Sequence, residues 1–190
     1  IKGYLDTAKP KSAVVIGGGY IGVEMAENLA EAGLDVSVVE LSDHLIASLD
    51  FDMAADVHRY LKQKGIALHL QNGVTAIRDH TVVLQRGEIP ADLVILSVGV
   101  RPETALAKDC GIHLNPRGSI VVDSGMRTNL PHIYAVGDAV EVRDFITNAP
   151  AFIPLAGPAN KQGRIAADNI AGYDSVYTGT QGSSVLKLFD

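Results

Sequence analysis

The chain has 190 residues, 47% of them hydrophobic, which supports a packed core and argues against disorder. Sixteen basic and 22 acidic residues give a formal net charge of −6 without a basic run, so nucleic acid is not an expected partner. No apolar run approaches the roughly 20 residues of a membrane span, the opening Ile1-Lys2-Gly3-Tyr4 lacks a signal-peptide pattern, and a single cysteine, Cys110, fits a reducing compartment such as the cytoplasm.

Residues 1–8 carry charges without clear periodicity and read as a connecting arm, with Pro10 just beyond. A short apolar strand, Ala13 to Ile16, runs into Gly17-Gly18-Gly19-Tyr20-Ile21-Gly22. The helix that follows presents Ile21, Met25 and Leu29, with Ala26 and Ala30 beside them, and Gly33 is placed to stop it. Val36 to Val39 forms a second strand and delivers Glu40; Ser42-Asp43 then offers cap-type residues. A helix is expected from Asp52 to Lys64, with Met53, Val57, Tyr60 and Leu61 on one face and Gly65 as its stop. Ile66 to Leu70 reads as a third strand.

The rhythm then changes. Val74–Ile77, Thr81–Gln85 and Glu88–Ile89 are short runs with short gaps, which predict an antiparallel meander in place of a crossover helix. Asp92 to Gly99 is a nearly continuous apolar run, the pattern of a buried parallel strand, and its terminal glycine falls where open α/β sheets bind ligand. Past Gly111, strands are expected at Gly118–Asp123, after an Asn115-Pro116-Arg117-Gly118 turn, and at Ile133–Asp138. A last helix, about Ala156 to Ala171, carries Ile165, Ala166 and Ile170 on its apolar side. Val185 to Asp190 reads like the opening of another strand, and both ends of the chain look cut from something longer.

The glycines at 17, 19 and 22 fit the G-x-G-x-x-G spacing between a strand and a helix. Gly17 permits the tight turn, Gly19 leaves room for a pyrophosphate, and Gly22 lets helix and strand approach closely. The helix N-terminus offers N–H groups and a positive dipole end to phosphates. Glu40, about twenty residues on, stands where an acid binds a ribose 2′-OH. Strand, turn, helix, strand and acid in that order point to dinucleotide binding. The six histidines never fall into paired ligand spacing, so no metal site is expected.

Three motifs together carry a more specific signal: Gly17 to Ala26, Ser97-Val-Gly-Val-Arg-Pro102, and Thr128-Asn-Leu-Pro-His-Ile-Tyr-Ala-Val-Gly-Asp138. In this order they resemble the pyridine nucleotide-disulfide oxidoreductases. The stretch Ile153 to Arg164 is most similar to the coenzyme A-disulfide reductase and NADH oxidase or peroxidase branch. The resemblance implies an α/β fold. It places a Rossmann-like NAD(P)H-binding domain with a β-meander crossover at 9–110, and the C-terminal half of an FAD-binding domain at 111–172. The start of a dimerisation domain would fall at 173–190 of a protein that works as a homodimer. It implies FAD and NADH as cofactors, with hydride passing from NADH to FAD. Electrons would then reach a cysteine-based acceptor that reduces a disulfide, a peroxide or oxygen. The first FAD half and the redox cysteine of that pattern are not found in these residues, so no catalytic residue is expected here and the chain alone is expected to be inactive.

By this resemblance the nicotinamide dinucleotide meets Gly17, Gly19, Tyr20, Ile21, Gly22, Glu24, Glu40, Val98 and Gly99, while Gly137, Asp138, Leu155 and Ala156 meet FAD. Tyr20 is then the aromatic that covers the flavin and swings aside for nicotinamide; otherwise it is a surface aromatic at a helix start. Glu24, one turn on, is either a nicotinamide-side carboxylate or a solvated helix residue. Asp138 would bind ribityl hydroxyls, or merely cap a helix. With no Lys or Arg between 40 and 50, NADH is favoured over NADPH, which stays possible. Cys110, without a basic neighbour or a second cysteine, reads as structural or incidental, in a connector. A non-catalytic, NADH-reading redox sensor would account for Gly17 to Glu40, but not for Gly137-Asp138 or 153–164.

Overall fold

The computed structural model describes residues 1–189 and divides into two compact units, residues 1–99 with 186–189, and residues 100–185. In the first, strands β1 (Ser12–Ile16), β2 (Asp35–Val39), β3 (Ala67–His69) and β7 (Leu93–Leu96) form a parallel sheet of order β3-β2-β1-β7. Helices α2 (Tyr20–Glu31) and α3 (Phe51–Gln63) make the crossovers from β1 to β2 and from β2 to β3. The return to the other side of β1 runs through β4 (Val74–Arg78), β5 (Thr81–Leu84) and β6 (Glu88–Pro90), an antiparallel sheet in that order. The expected meander crossover is therefore present.

Strand β1 is buried on both faces, which is why it reads as an unbroken apolar run. Ala13 and Val15 pack with Val23, Ala26 and Leu29 of α2 and Leu61 of α3, whereas Val14 and Ile16 pack with Val82 and Leu84 of the meander. At the amino end of the sheet Asp92 fixes β1 to β7. Its Oδ2 accepts the N–H groups of Lys11 (2.8 Å) and Ser12 (3.1 Å), and its own N–H is donated to Ser12 Oγ at 3.1 Å. Helix α2 ends as expected: Leu34 N–H bonds Leu29 O and Gly33 N–H bonds Ala30 O, a Schellman closure that needs the left-handed Gly33 (φ 88°).

Several expectations are corrected. Within the stretch read as a connecting arm without periodicity, residues 2–8 form helix α1 (Lys2–Ala8); Lys9 closes it in the left-handed region and Leu5 packs on the core. The inner face of α2 is Gly22, Val23, Ala26 and Leu29, and Ile21 is 57% exposed, because the helix phase is set by turning Gly22 towards the strand. The inner face of α3 is Ala54, His58 and Leu61, with Met53 outside; its N-cap position is Asp50, and neither Ser42 nor Asp43 caps it. Leu45 and Ile46, in the polar-looking loop between β2 and α3, are fully buried. Strand β7 pairs with β1 as expected, yet its side chains are half-buried and Leu96 is exposed.

The second unit contains α4 (Ala105–Asp109), the short hairpin β8 (Val142–Arg143) and β9 (Pro150–Ala151), and α5 (Ala156–Ile170), around a small cluster of Ile120, Val140 and Val142. The Asn115–Gly118 turn forms, with Gly118 N–H on Asn115 O at 2.9 Å. The strands expected at 118–123 and 133–138 do not. These segments bond their neighbours through scattered backbone hydrogen bonds, such as Val121 N–H on His113 O and Ala135 N–H on Met126 O, and through isolated bridges at Ile120 and Tyr134, whereas a strand needs a continuous ladder. Gly137–Ala139 is instead a 3₁₀ turn. Cys110 is the C-cap residue of the five-residue helix α4 and is exposed. No strand forms over 185–189, where Leu186, Leu188 and Phe189 pack on the core of the first unit; Asp190 lies outside the described residues.

Helix α5 has the expected bounds but a different inner face. Gln162, Ala166 and Asn169 are buried, and Ile170 is 66% exposed. The polar residues face inward because they hold loops: Gln162 Oε1 accepts Gly137 N–H at 2.7 Å, and Asn169 Nδ2 donates to Gly125 O and Ser175 O. Replacing Gln162 by Ala leaves the partly buried Gly137 N–H without its acceptor and opens a gap at a buried side chain, and is expected to cost about 1–3 kcal/mol. Ile170→Ala should change stability by less than about 0.5 kcal/mol. Urea unfolding of the two variants checks the order.

Candidate functional site

The sequence order of the strands reverses between β1 and β7, so their carboxyl ends diverge and open a crevice at the switch point. A cleft of about 680 Å³ lies there. Of the expected residues, Gly17, Gly19, Glu40, Val98 and Gly99 line it. Its apolar wall includes Leu41, Val74, Ile77 and Leu96, contributed by the loop after β2, the meander and β7. A flat, uncharged group can lie against such a wall while polar groups face the glycines.

The glycine turn is compact for reasons that can be read atom by atom. Gly17 has φ 104°, and a Cβ there would stand 2.4 Å from Ser97 O. At Gly22 a Cβ would stand 1.9 Å from Gly17 O, so this glycine brings α2 onto the turn, as its spacing predicts. Nothing lies within 4 Å of a Cβ built on Gly19, which leaves its outer side open to a ligand. Gly18, which the motif leaves unspecified, is also crowded, since its Cβ would meet the side-chain atom Leu45 Cδ2 at 2.3 Å.

Glu40 is more than a residue at the rim. Its Oε2 accepts Gly18 N–H at 2.7 Å and its Oε1 accepts Ser42 N–H at 2.8 Å. Partial burial pushes its pKa up, but the N–H groups of Ser42 and Gly18 outweigh this, and the net effect is a carboxyl held below its ordinary value. A carboxylate has about four lone-pair sites, so acceptor capacity remains for a ligand hydroxyl.

Tyr20, Ile21, Gly22 and Glu24 occupy the first turns of α2 but do not line the cleft. The Tyr20 ring packs on the core and its hydroxyl meets Ser48 Oγ at 3.1 Å; Glu24 is exposed. In the second unit, Gly137 and Asp138 form the 3₁₀ turn that packs on α5. Asp138 is exposed beside a cavity of about 230 Å³. Leu155 is the N-cap position of α5 and Ala156 its first residue; the Leu155 N–H is donated to Ile153 O at 3.0 Å.

Several supporting residues were not anticipated. Ser97 Oγ donates towards Gly17 O (2.8 Å) and Ile16 O (3.1 Å), clipping β7 to the turn; its place beside Val98 and Gly99 was the available signal. Buried Asn72 receives Arg86 N–H at 3.0 Å and donates to Arg86 O at 3.2 Å, fixing the meander beside the cleft. His58 Nε2 accepts Leu45 N–H at 3.0 Å, and its signal was a histidine in phase with Ala54 and Leu61. Among the described residues no cluster of His, Cys, Asp or Glu could hold a metal, and no helix is long and apolar enough to cross a membrane.

A family model described as pyridine nucleotide-disulphide oxidoreductase matches residues 2–162. The chain is similar to an NAD(P)H coenzyme A polysulfide/persulfide reductase of Pyrococcus horikoshii, 36% identical over all of this chain and 44% of that protein. Its fold matches the reduced CoADR-RHD of Bacillus anthracis with TM-score 0.97 and 49% identity, over 100% of this chain and 35% of that one. It also matches the water-forming NADH oxidase of Lactobacillus brevis bound to NADH, with TM-score 0.92 and 33% identity, over 99% of this chain and 43% of that one. The chain thus spans less than half the length of these relatives.

Because the pKa of Glu40 is lowered in the folded state, ionised Glu40 adds stability that is complete above the unfolded value of 4.5 and lost as pH falls through the folded one. Wild type should therefore exceed Glu40→Gln in urea midpoint at about pH 7, with the difference closing towards about pH 3. A constant difference across that range would contradict the assignment.

Proposed function

The chain belongs to the pyridine nucleotide-disulphide oxidoreductase family, and from that membership we propose that its first unit binds NADH as the electron-entry module of a flavin-dependent oxidoreductase. One observation carries the reading. The cleft at the β1/β7 switch point joins an open glycine at a helix N-terminus to a carboxylate anchored at its rim.

The pyrophosphate lies over Gly19, where the missing side chain leaves space and the α2 N-terminus supplies N–H donors and a positive dipole end. Glu40 accepts from the ribose hydroxyls with the lone pairs that Gly18 and Ser42 leave over. A 2′-phosphate would meet that carboxylate with no Lys or Arg in 41–50 to neutralise it, so NADH is favoured over NADPH. The apolar wall of Leu41, Ile77 and Val74 suits the adenine ring. Nicotinamide is directed towards Tyr20, Ile21 and Glu24 on α2, past Val98 and Gly99. That the Lactobacillus brevis relative is described with NADH bound supports NADH as the ligand.

The second unit suits a share of an FAD site. Gly137 and Asp138 stand on a turn braced by buried Gln162, and the α5 N-terminus begins at Leu155 and Ala156. Asp138 accepts from ribityl hydroxyls, and the dipole end of α5 favours negative charge nearby. FAD, when bound, supplies two-electron chemistry between NADH and the acceptor. We assign residues 9–110 to NAD(P)H binding, 111–172 to the second FAD half and 173–190 to the start of a dimerisation domain in a homodimer. The acceptor is a small disulfide of the coenzyme A type, with peroxide and oxygen as the other members of the class. No residue of this chain is assigned to the acceptor step.

Titration of the chain with NADH and NADPH tests the reading. NADH should bind more tightly, and Glu40→Ala should weaken it by roughly ten- to a hundredfold, the equivalent of about 1.5–3 kcal/mol for hydrogen bonds to a charged group. Tighter NADPH binding overturns the assignment of Glu40, and absence of NADH binding overturns the function.

A further inference from the structure

The loop 41–50 between β2 and α3 is polar at its start yet buries two large side chains, and the residue that holds them is a histidine. Leu45 and Ile46 are 0% and 2% exposed. Leu45 Cδ2 lies over Gly18, 2.3 Å from where a Cβ there would stand, on the side where Glu40 Oε2 would lie 3.2 Å from that Cβ. The Ile46 N–H is donated to Gly18 O at 2.8 Å. The Gly18 residue is thus gripped at both ends, its N–H by Glu40 and its C=O by Ile46. Ile46 has φ 53°, a left-handed conformation costly for a β-branched residue, so the grip needs support from outside the loop. That support is the 3.0 Å bond from Leu45 N–H to Nε2 of buried His58 on α3.

We propose that His58 is a positioning residue for dinucleotide binding: by accepting the Leu45 N–H it seats the 41–50 loop on Gly18 and holds the glycine turn in its phosphate-accepting form. The inference rests on the NADH reading of the cleft. Nε2 can accept only while the ring is neutral. Protonation removes the acceptor, frees Leu45, and loosens the Ile46–Gly18 bond one residue on. The same loop carries Ser42, which bonds Glu40, and Ser48, which meets the Tyr20 hydroxyl, so its release reaches both ends of the expected dinucleotide path.

The surroundings of His58 favour the neutral ring. Burial lowers its pKa below the ordinary value of 6.5, Lys62 and His44 push the same way, and Asp43, bonded to His44 Nδ1 at 2.6 Å, opposes them. Arg59, beside His58 on the outer groove of α3, is paired with Asp56 at 2.9 Å. With the folded value lowered, the bond is complete above 6.5 and is lost as pH falls through the folded value. NADH affinity should follow it.

The experiment measures NADH dissociation constants of the full chain from about pH 7.5 to about pH 5, for wild type, His58→Gln, His58→Leu and, as a control for the neighbouring ring, His44→Asn. Folding is followed by circular dichroism at each pH. Glutamine can present an acceptor that does not titrate. Wild type and His44→Asn should lose about tenfold in affinity across the range, His58→Gln should stay near the wild-type value at the upper pH throughout, and His58→Leu should be about tenfold weaker at every pH. If wild type binds NADH but His58→Leu binds equally well, or if His58→Gln keeps the wild-type pH response, the positioning role is overturned while the function stands. If wild type binds no NADH at any pH, the reading of the cleft fails and this inference with it.

Discussion

The carboxylate of Glu40 is the constraint around which the first unit closes. Its two oxygens take the N–H groups of Gly18 and Ser42, while its own N–H is donated to His69 O at 3.0 Å and its C=O receives Asn72 N–H at 3.1 Å. One residue therefore joins the end of β2, the glycine turn after β1, the loop that follows, and the exit from β3. The two backbone bonds are worth about 1 kcal/mol net each, and the two to the carboxylate about 1.5–3 kcal/mol. Their value here is geometric, since the turn cannot change its orientation without giving up a charge-assisted bond in a partly buried place. A ligand meets donors that are already aimed, and the ordering cost has been met during folding.

The rest of the unit follows from keeping that turn close to the sheet. Gly22 must face Gly17, which fixes the rotation of α2 about its axis and, with it, which side chains enter the core. The meander then covers the opposite face of β1 with Val82 and Leu84, where a crossover helix would stand in a regular repeat, and its Val74 and Ile77 reach the cleft. A meander is thinner than a helix layer, so β7 keeps exposed side chains at its carboxyl end. Leu96 and Val98, exposed at 65% and 74%, are apolar surface at the place where a ligand is expected.

Much of this was legible in the sequence because the governing rules are local. The βαβ order, the glycine spacing, the strand-end acid, the helix stop at Gly33 and the three runs of the meander each depend on a few adjacent residues. Helix faces were legible only where apolar residues also set the phase. In α2 a glycine sets it, in α3 a histidine, and in α5 a glutamine and an asparagine, so a count of apolar spacing put Ile21, Met53 and Ile170 on the wrong side. The second unit was legible as motifs and not as elements. Gly137-Asp138 carries its family signature in sequence, but a strand is a property of paired segments, and 118–123 and 133–138 pair through isolated bridges and scattered hydrogen bonds without a continuous ladder.

The burial of Leu45 and Ile46 shows why polarity was a poor guide in this fold. The loop that carries them opens with Ser42, Asp43 and His44 and has the composition of a surface connection, yet it lies against a turn whose peptide groups must be satisfied away from water. The Gly18 carbonyl takes the Ile46 N–H, and the Leu45 N–H in turn must find an acceptor in the core. A backbone carbonyl there would require another strand or turn. A histidine on a passing helix provides the acceptor without one, and keeps α3 free to pack through Ala54 and Leu61. Sequence patterns record which side chains avoid water; they do not record which backbone groups must be matched once a loop is forced inward, and His58 belongs to that second ledger.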